Sequence, residues 1–167
     1  VEAATHYRKA AESGLPIAQT CLGEMYDAGL GVPQDAVEAV QWYRRAAAGG
    51  FAPAKVDLGL SLTYGTGTPP NYAEALKLFH EAGNAGYAAG FYQVGMAYKV
   101  GREVGVNSNE ALKWFRIAAD MKLPQAYGAV AAFYYFDAWN NEEAASYAER
   151  GSKLGDPLSQ VVWGCLL

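Results

Sequence analysis

A 36-residue step runs through this chain and decides most of what it can fold into. Leu22-Gly23, Leu58-Gly59 and Val94-Gly95 stand 36 residues apart, as do Gly29, Gly65 and Gly101. The same step relates Ala39, Ala75 and Ala111, then Trp42, Leu78 and Trp114, then Tyr43, Phe79 and Phe115. A fixed period in this range marks an array of one supersecondary unit, each copy burying its apolar face on its neighbours. The units read 15–50, 51–86, 87–122 and a shorter 123–155. A half unit, 1–14, precedes them, with Tyr7, Ala10, Ala11 and Gly14 on the places of Tyr43, Ala46, Ala47 and Gly50. Another half, 156–167, follows, with Trp163-Gly164 on the Leu22-Gly23 place. We expect one domain over residues 1–167.

Each unit reads as two helices. The first, about 17–28 in unit one, sets Ala18, Leu22 and Tyr26 four apart on one face. Gly23 there allows close helix packing. The second carries Ala39, Trp42, Tyr43 and Ala46 at helical spacing. Asp35-x-x-Glu38, Asn71-x-x-Glu74, Asn107-x-x-Glu110 and Asn140-x-x-Glu143 predict capping boxes at its start. Gly14, Gly50, Gly86 and Gly155 suit a left-handed cap at its end, with Lys122 as the exception. Pro16, Pro124 and Pro157 open the next helix, where no amide is needed. The GxG of Gly29 and Gly31 could cradle a phosphate, but no strand or βαβ unit accompanies it. It reads as the turn between two helices. The predicted fold is all-α, a right-handed α/α superhelical solenoid of 36-residue helix-turn-helix repeats.

These residues resemble the Sel-1-like repeat family, a branch of the tetratricopeptide-type helical repeats. Ala18, Leu22, Gly23, Tyr26, Gly29, Gly31, Val32, Asp35, Ala39, Trp42, Ala46, Ala47 and Gly50 follow its pattern. Leu62 replaces the tyrosine in unit two, and Glu103 the second turn glycine in unit three. Unit four loses three residues from its turn, and Ala131 replaces the packing glycine. The resemblance implies an adaptor, or a bacterial immunity protein that neutralises an effector, in the bacterial periplasm or secreted. Family members with a disulfide in each repeat and a β-lactam association do not transfer, since Cys21 and Cys165 are the two cysteines here. Both should be free, because they lie in units too distant to touch within one chain.

The chemistry-bearing residues form no catalytic constellation. His6 falls on the Trp42 place and should be semi-buried, while His80 should face outward; they are too far apart to share a metal. Neither a serine nor a cysteine nucleophile has a base at recognisable spacing. We therefore expect no enzyme, no cofactor and no metal. A net charge of −4 argues against a nucleic-acid partner bound through bulk positive charge. No apolar run approaches the roughly 18–20 residues of a membrane span. Arg8, Lys9, Arg44, Arg45, Lys77, Lys113 and Arg116 recur on the outer side of the second helices, as a solvated face or as a surface for an acidic partner. The first residue is Val1, which reads as a processed or cut start.

In helical repeats of this type the first helices line a concave surface. Counting from the Leu-Gly anchor, inward places hold Ile17, Thr20, Glu24, Asp27 and Ala28, then Pro53, Val56, Leu60, Thr63 and Tyr64. Ala89, Tyr92, Met96, Lys99 and Val100 follow, then Gln125, Gly128, Ala132, Tyr135 and Phe136. Aromatics and methionine are enriched at protein interfaces. The expected groove for a protein or peptide partner is Glu24, Asp27, Leu60, Tyr64, Tyr92, Met96, Lys99, Tyr135 and Phe136. A carbohydrate or peptidoglycan ligand stacked on the tyrosines is the alternative, with a hydrolase behind it. Leu158, Val161, Val162, Trp163, Cys165 and Leu166 leave the last helix apolar all round, and such a helix is normally buried. That predicts a longer parent chain or self-association through it.

Overall fold

The computed structural model describes residues 2–167, with side chains from Thr5 onward. Every regular element among them is helical. The chain divides into two compact units, Val1–Gly90 and Phe91–Leu167. The first holds α1 (Glu2–Glu12), α2 (Pro16–Ala28), α3 (Ala36–Ala48), α4 (Ala52–Tyr64), α5 (Tyr72–Asn84) and the start of α6 (Ala88–Val100). The second holds the rest of α6, then α7 (Ser108–Asp120), α8 (Pro124–Ala132), a π-helical turn (Phe133–Asp137), α9 (Asn141–Lys153) and α10 (Pro157–Leu166). Within the first unit α1 packs on α2, α2 on α3, α3 on α4 and α4 on α5, and within the second α7 packs on α8, α8 on α9 and α9 on α10, the order expected of stacked helix pairs.

Proline and glycine set the helix ends as the sequence predicts. Pro16, Pro124 and Pro157 each occupy the first helical position. Each second helix closes on a left-handed residue: Gly50 at φ 83°, Gly86 at 89° and Gly155 at 80°. The residue after it returns its amide to the last turn, as Phe51 N does to Ala46 O at 3.2 Å. Lys122 takes the same conformation at φ 67° with the same bond, from Leu123 N to Ala118 O at 3.1 Å. The closing bonds hold a lysine where glycine would be relaxed. Glu103, on a turn-glycine place, is likewise held at φ 63°.

The starts of the second helices are only half the boxes expected. Asp35 Oδ1 accepts from Val37 N at 3.0 Å and Glu38 N at 3.1 Å. Asn71, Asn107 and Asn140 accept from Glu74 N, Glu110 N and Glu143 N. The return bond from the glutamates does not form, because the cap amides are already donated. Asp35 N gives its proton to Tyr26 O, Asn71 N to Leu62 O, Asn107 N to Tyr98 O and Asn140 N to Tyr134 O. That backbone bond closes the turn, and Glu74 reaches back only to the cap's side chain, its Oε2 accepting from Asn71 Nδ2 at 3.1 Å. Glu74 Oε1 meets Arg44 Nη1 at 3.2 Å, and Glu110 Oε2 meets Lys113 Nζ at 2.7 Å. Asp35→Ala should cost about 1 kcal/mol by removing the cap acceptor. Urea denaturation checks this, and Asp35→Asn should retain most of the stability.

The core is built on a glycine and a ring. A Cβ on Gly23 would stand 2.5 Å from the Tyr43 ring, one on Gly59 2.5 Å from Phe79, and one on Gly95 2.6 Å from Phe115. Each first helix thus lies flat against an aromatic of its own second helix, all three rings being buried. Unit four exchanges the sizes. Ala131 stands on the glycine place, Ala148 on the aromatic place, and both are fully buried. Its shortened turn follows a π-helical turn, with Trp139 at φ 52° just beyond.

Candidate functional site

The first helices present a face whose residues divide sharply by exposure. In the first compact unit Tyr64 is 67% exposed at the end of α4. It edges a cavity of about 150 Å³ whose wall also includes Asp27, Tyr43, Asp57, Leu60 and Thr66. Tyr43 donates its hydroxyl proton to Asp27 Oδ2 at 2.9 Å, so α3 fixes the carboxylate from behind. Glu24 stands exposed one turn earlier on α2.

Asp57 is the residue the sequence reading missed. Burial, then the nearby charges of Glu24 and Asp27, push its carboxyl up to about 7. The same negative cluster reaches outward. Glu24 adds to burial in raising the Cys21 thiol, and Asp57 with Glu24 adds to burial in raising Tyr87. A reactive cysteine needs the opposite shift.

In the second compact unit the face is aromatic with a single lysine. Phe136 is 58% exposed and meets Tyr135 edge-on, with ring centroids 4.8 Å apart. Lys99, Phe136 and Asp137 border a cavity of about 190 Å³ floored by Phe115, Ala129, Ala132 and Phe133. Tyr92, Met96 and Tyr135 are half-buried and packed against the core. Tyr92 lies 5.4 Å from Phe115, centroid to centroid.

Four of the inward places are not surface at all. Thr20, Val56 and Ala132 are buried, as is Gly128. A side chain at Gly128 would run into Asp156 and Leu158, so the row two before the anchor is where successive first helices touch. The histidines also differ from expectation. His6 is exposed, in the wall of an open cavity between α1 and α2. His80 is half-buried, and burial lowers its pKa. Among the described residues no three His, Cys, Asp or Glu side chains are arranged to hold a metal ion, and no helix is long and apolar enough to cross a membrane.

The basic row on the second helices is mostly committed within the fold. Arg45 stacks on the Trp42 ring at 4.4 Å, Arg44 pairs with Glu74, and Arg8 donates to the Tyr26 hydroxyl at 2.7 Å. Lys77 and Lys113 remain highly exposed beside Glu81 and Glu110.

The Sel1 repeat profile matches residues 1–15, 16–51, 52–87, 92–123 and 126–156. No curated protein sequence matches the chain. Among solved structures, a Sel1 repeat protein from Oxalobacter formigenes is similar over 95% of this chain and 66% of its own, with TM-score 0.86 and 29% identity. A protective antigen of uropathogenic Escherichia coli with an SLR fold is similar over 98% of this chain and 36% of its own, with TM-score 0.83 and 27% identity. An immunity protein from Pseudomonas aeruginosa shares the fold at 18% identity and TM-score 0.69, over 96% of this chain and 66% of its own. The chain thus spans about two thirds of the first relative and little over a third of the second.

Proposed function

We propose, from the premise that this chain belongs to the Sel1 repeat family, that it grips a protein segment along the faces of its first helices. The family is generally a protein–protein interaction scaffold and typically non-catalytic. One observation carries the finer reading: Tyr64 and Phe136 hold large rings in solvent at the edges of two small cavities. Aromatic anchors bury much area with few rotatable bonds, which makes them the usual hot spots of an interface. Leu60 extends the apolar surface beside Tyr64. Tyr135 meets the second ring edge-on, and Tyr92 and Met96 pack against the core of the same unit.

Charge sets which segment fits. Glu24 and Asp27, with Asp57 behind them, favour a basic side chain of the partner near Tyr64. Lys99 favours an acidic group near Phe136. The narrower form of the reading is an immunity protein bound to an effector; the fold likeness to the P. aeruginosa immunity protein supports the architecture that role would use.

The test is pull-down with mass spectrometry, followed by titration of the partner recovered. Tyr64→Ala and Phe136→Ala should each weaken binding about thirtyfold, the effect of about 2 kcal/mol at a true hot spot. Their thermal midpoints should stay close to the parent's, because both rings are exposed. Tyr92→Ala is the poorer probe, since it also strips packing from Phe115. Lys77→Ser with Lys113→Ser is the control on the second helices. Binding that survives both aromatic substitutions but not the lysine pair defeats the reading.

A further inference from the structure

We propose, resting on the partner face described above, that the cavity beside Phe136 is a socket for one phenyl-sized side chain of the partner, and that Lys99 at its rim selects an acidic residue next to that ring. The cavity is a repeated feature of the fold. Two 36-residue steps carry Asp27, Tyr43, Asp57, Leu60, Ser61 and Tyr64 of the first compact unit onto Lys99, Phe115, Ala129, Ala132, Phe133 and Phe136 of the second. The first set walls the cavity of about 150 Å³, and the second walls that of about 190 Å³. A hollow that recurs at the same places belongs to the backbone, where a first helix, its second helix and the next first helix meet. The side chains then decide what it holds.

The exchanges between the two cavities strip polarity from the floor. In the first unit Tyr43 donates its hydroxyl proton to Asp27 Oδ2 at 2.9 Å. Phe115 has no hydroxyl to give. Ala129 stands in place of the half-buried Asp57, and Phe133 in place of Ser61. Phe115, Ala129 and Ala132 are all buried. An apolar cavity of about 150 Å³ is large enough for benzene, so the one floored by these residues has room for a phenyl ring. Phe133 in its wall and Phe136 at its lip offer that ring the edge and face contacts that an aliphatic side chain lacks.

Charge remains only at the mouth. Lys99 is exposed, and among the described residues it takes part in no ion pair. Its counterpart Asp27 is held by Tyr43, whereas nothing of that kind restrains Lys99. Asp137 also borders the cavity, yet it forms no ion pair with Lys99, so the two charges stand apart. An acidic group of the partner is drawn to Lys99 and turned from Asp137, which fixes the direction in which the segment crosses the socket. Complementarity of this kind governs specificity more than bulk affinity.

Three capped peptides probe the socket: acetyl-Gly-Phe-Asp-Gly-amide, the same peptide with Lys for Asp, and the same with Ala for Phe. Each is titrated into the isotope-labelled chain and followed by amide NMR. The Phe-Asp peptide should give saturable shifts at Ala129, Ala132 and Phe133, and the other two should bind about tenfold more weakly or worse. Lys99→Asp gives this place the residue of the first unit and touches no core atom; it should reverse the order of the Phe-Asp and Phe-Lys peptides. Ala132→Leu fills the socket and should weaken the Phe-Asp peptide by about tenfold or more. Should that variant not fold, the Lys99→Asp reversal decides alone. No saturable shift at these residues, or an order of peptides unchanged by Lys99→Asp, overturns the proposal. Failure of the peptides while a recovered partner still depends on Phe136 removes the socket and leaves the partner face standing. Peptides that bind as expected beside a partner indifferent to Phe136 keep the socket and remove the partner face.

Discussion

Phe115→Ala is expected to lower the unfolding free energy by about 3–5 kcal/mol, the usual cost of deleting a buried ring with partial collapse around the cavity. The ring is 2% exposed. It fills the space that Gly95 leaves in α6 and stacks at a tilt on Tyr92 from the same helix. Neither neighbour can collapse into the void: Gly95 has no side chain to swing, and Tyr92 is itself held in the core margin. Urea denaturation followed by circular dichroism measures the loss. A change below about 1 kcal/mol would mean that the ring is not what spaces α6 from α7.

The second large effect is a pH dependence with an unusual sign. Asp57 has a carboxyl whose ordinary value is 3.8 and whose folded value is about 7. Between those values the folded chain holds a proton that the unfolded chain has lost, so stability falls as pH rises through the interval. Below about pH 4 both states are protonated and the cost vanishes; above about pH 7 it is fully present. Three pKa units correspond to about 4 kcal/mol, and solvent reaching the open side of the cluster reduces that to about 1–3 kcal/mol. Asp57→Asn should therefore raise stability by that amount at pH 8 and leave it nearly unchanged at pH 4. Denaturation midpoints of parent and variant at the two pH values decide the matter. An equal gain at both would show that charge is not the cause.

The same residue shows where reading from sequence stops. The 36-residue step located the glycine seats, the rings opposite them and the helix caps, because backbone geometry at those places tolerates few side chains. Asp57 stands one before the anchor, where the other units carry Cys21, Gln93 and Ala129. Periodicity assigns that place to a half-hidden row and says nothing of charge. The fate of the cap amides was equally hidden, since Asp35-x-x-Glu38 reads as a box whether the amide meets Glu38 or Tyr26 O. Of the inward row, Tyr64 and Phe136 are exposed while Thr20 and Val56 are buried, because the contact between successive first helices depends on how far each is turned, which a repeat length does not specify. The π-helical turn before the shortened turn of unit four was not legible either, since the deletion appears in sequence only as missing length.

The central claim is that the partner lies along the first helices. Site-specific photocrosslinking tests it most directly, with benzoylphenylalanine placed singly at Tyr64, Phe136, Lys77 and Lys113. All four places are well exposed, so the probe itself leaves the core untouched. The predicted result is adduct formation with the partner from Tyr64 and Phe136 and none from Lys77 or Lys113. Adducts from the two lysine places alone would put the partner on the second helices and contradict the account.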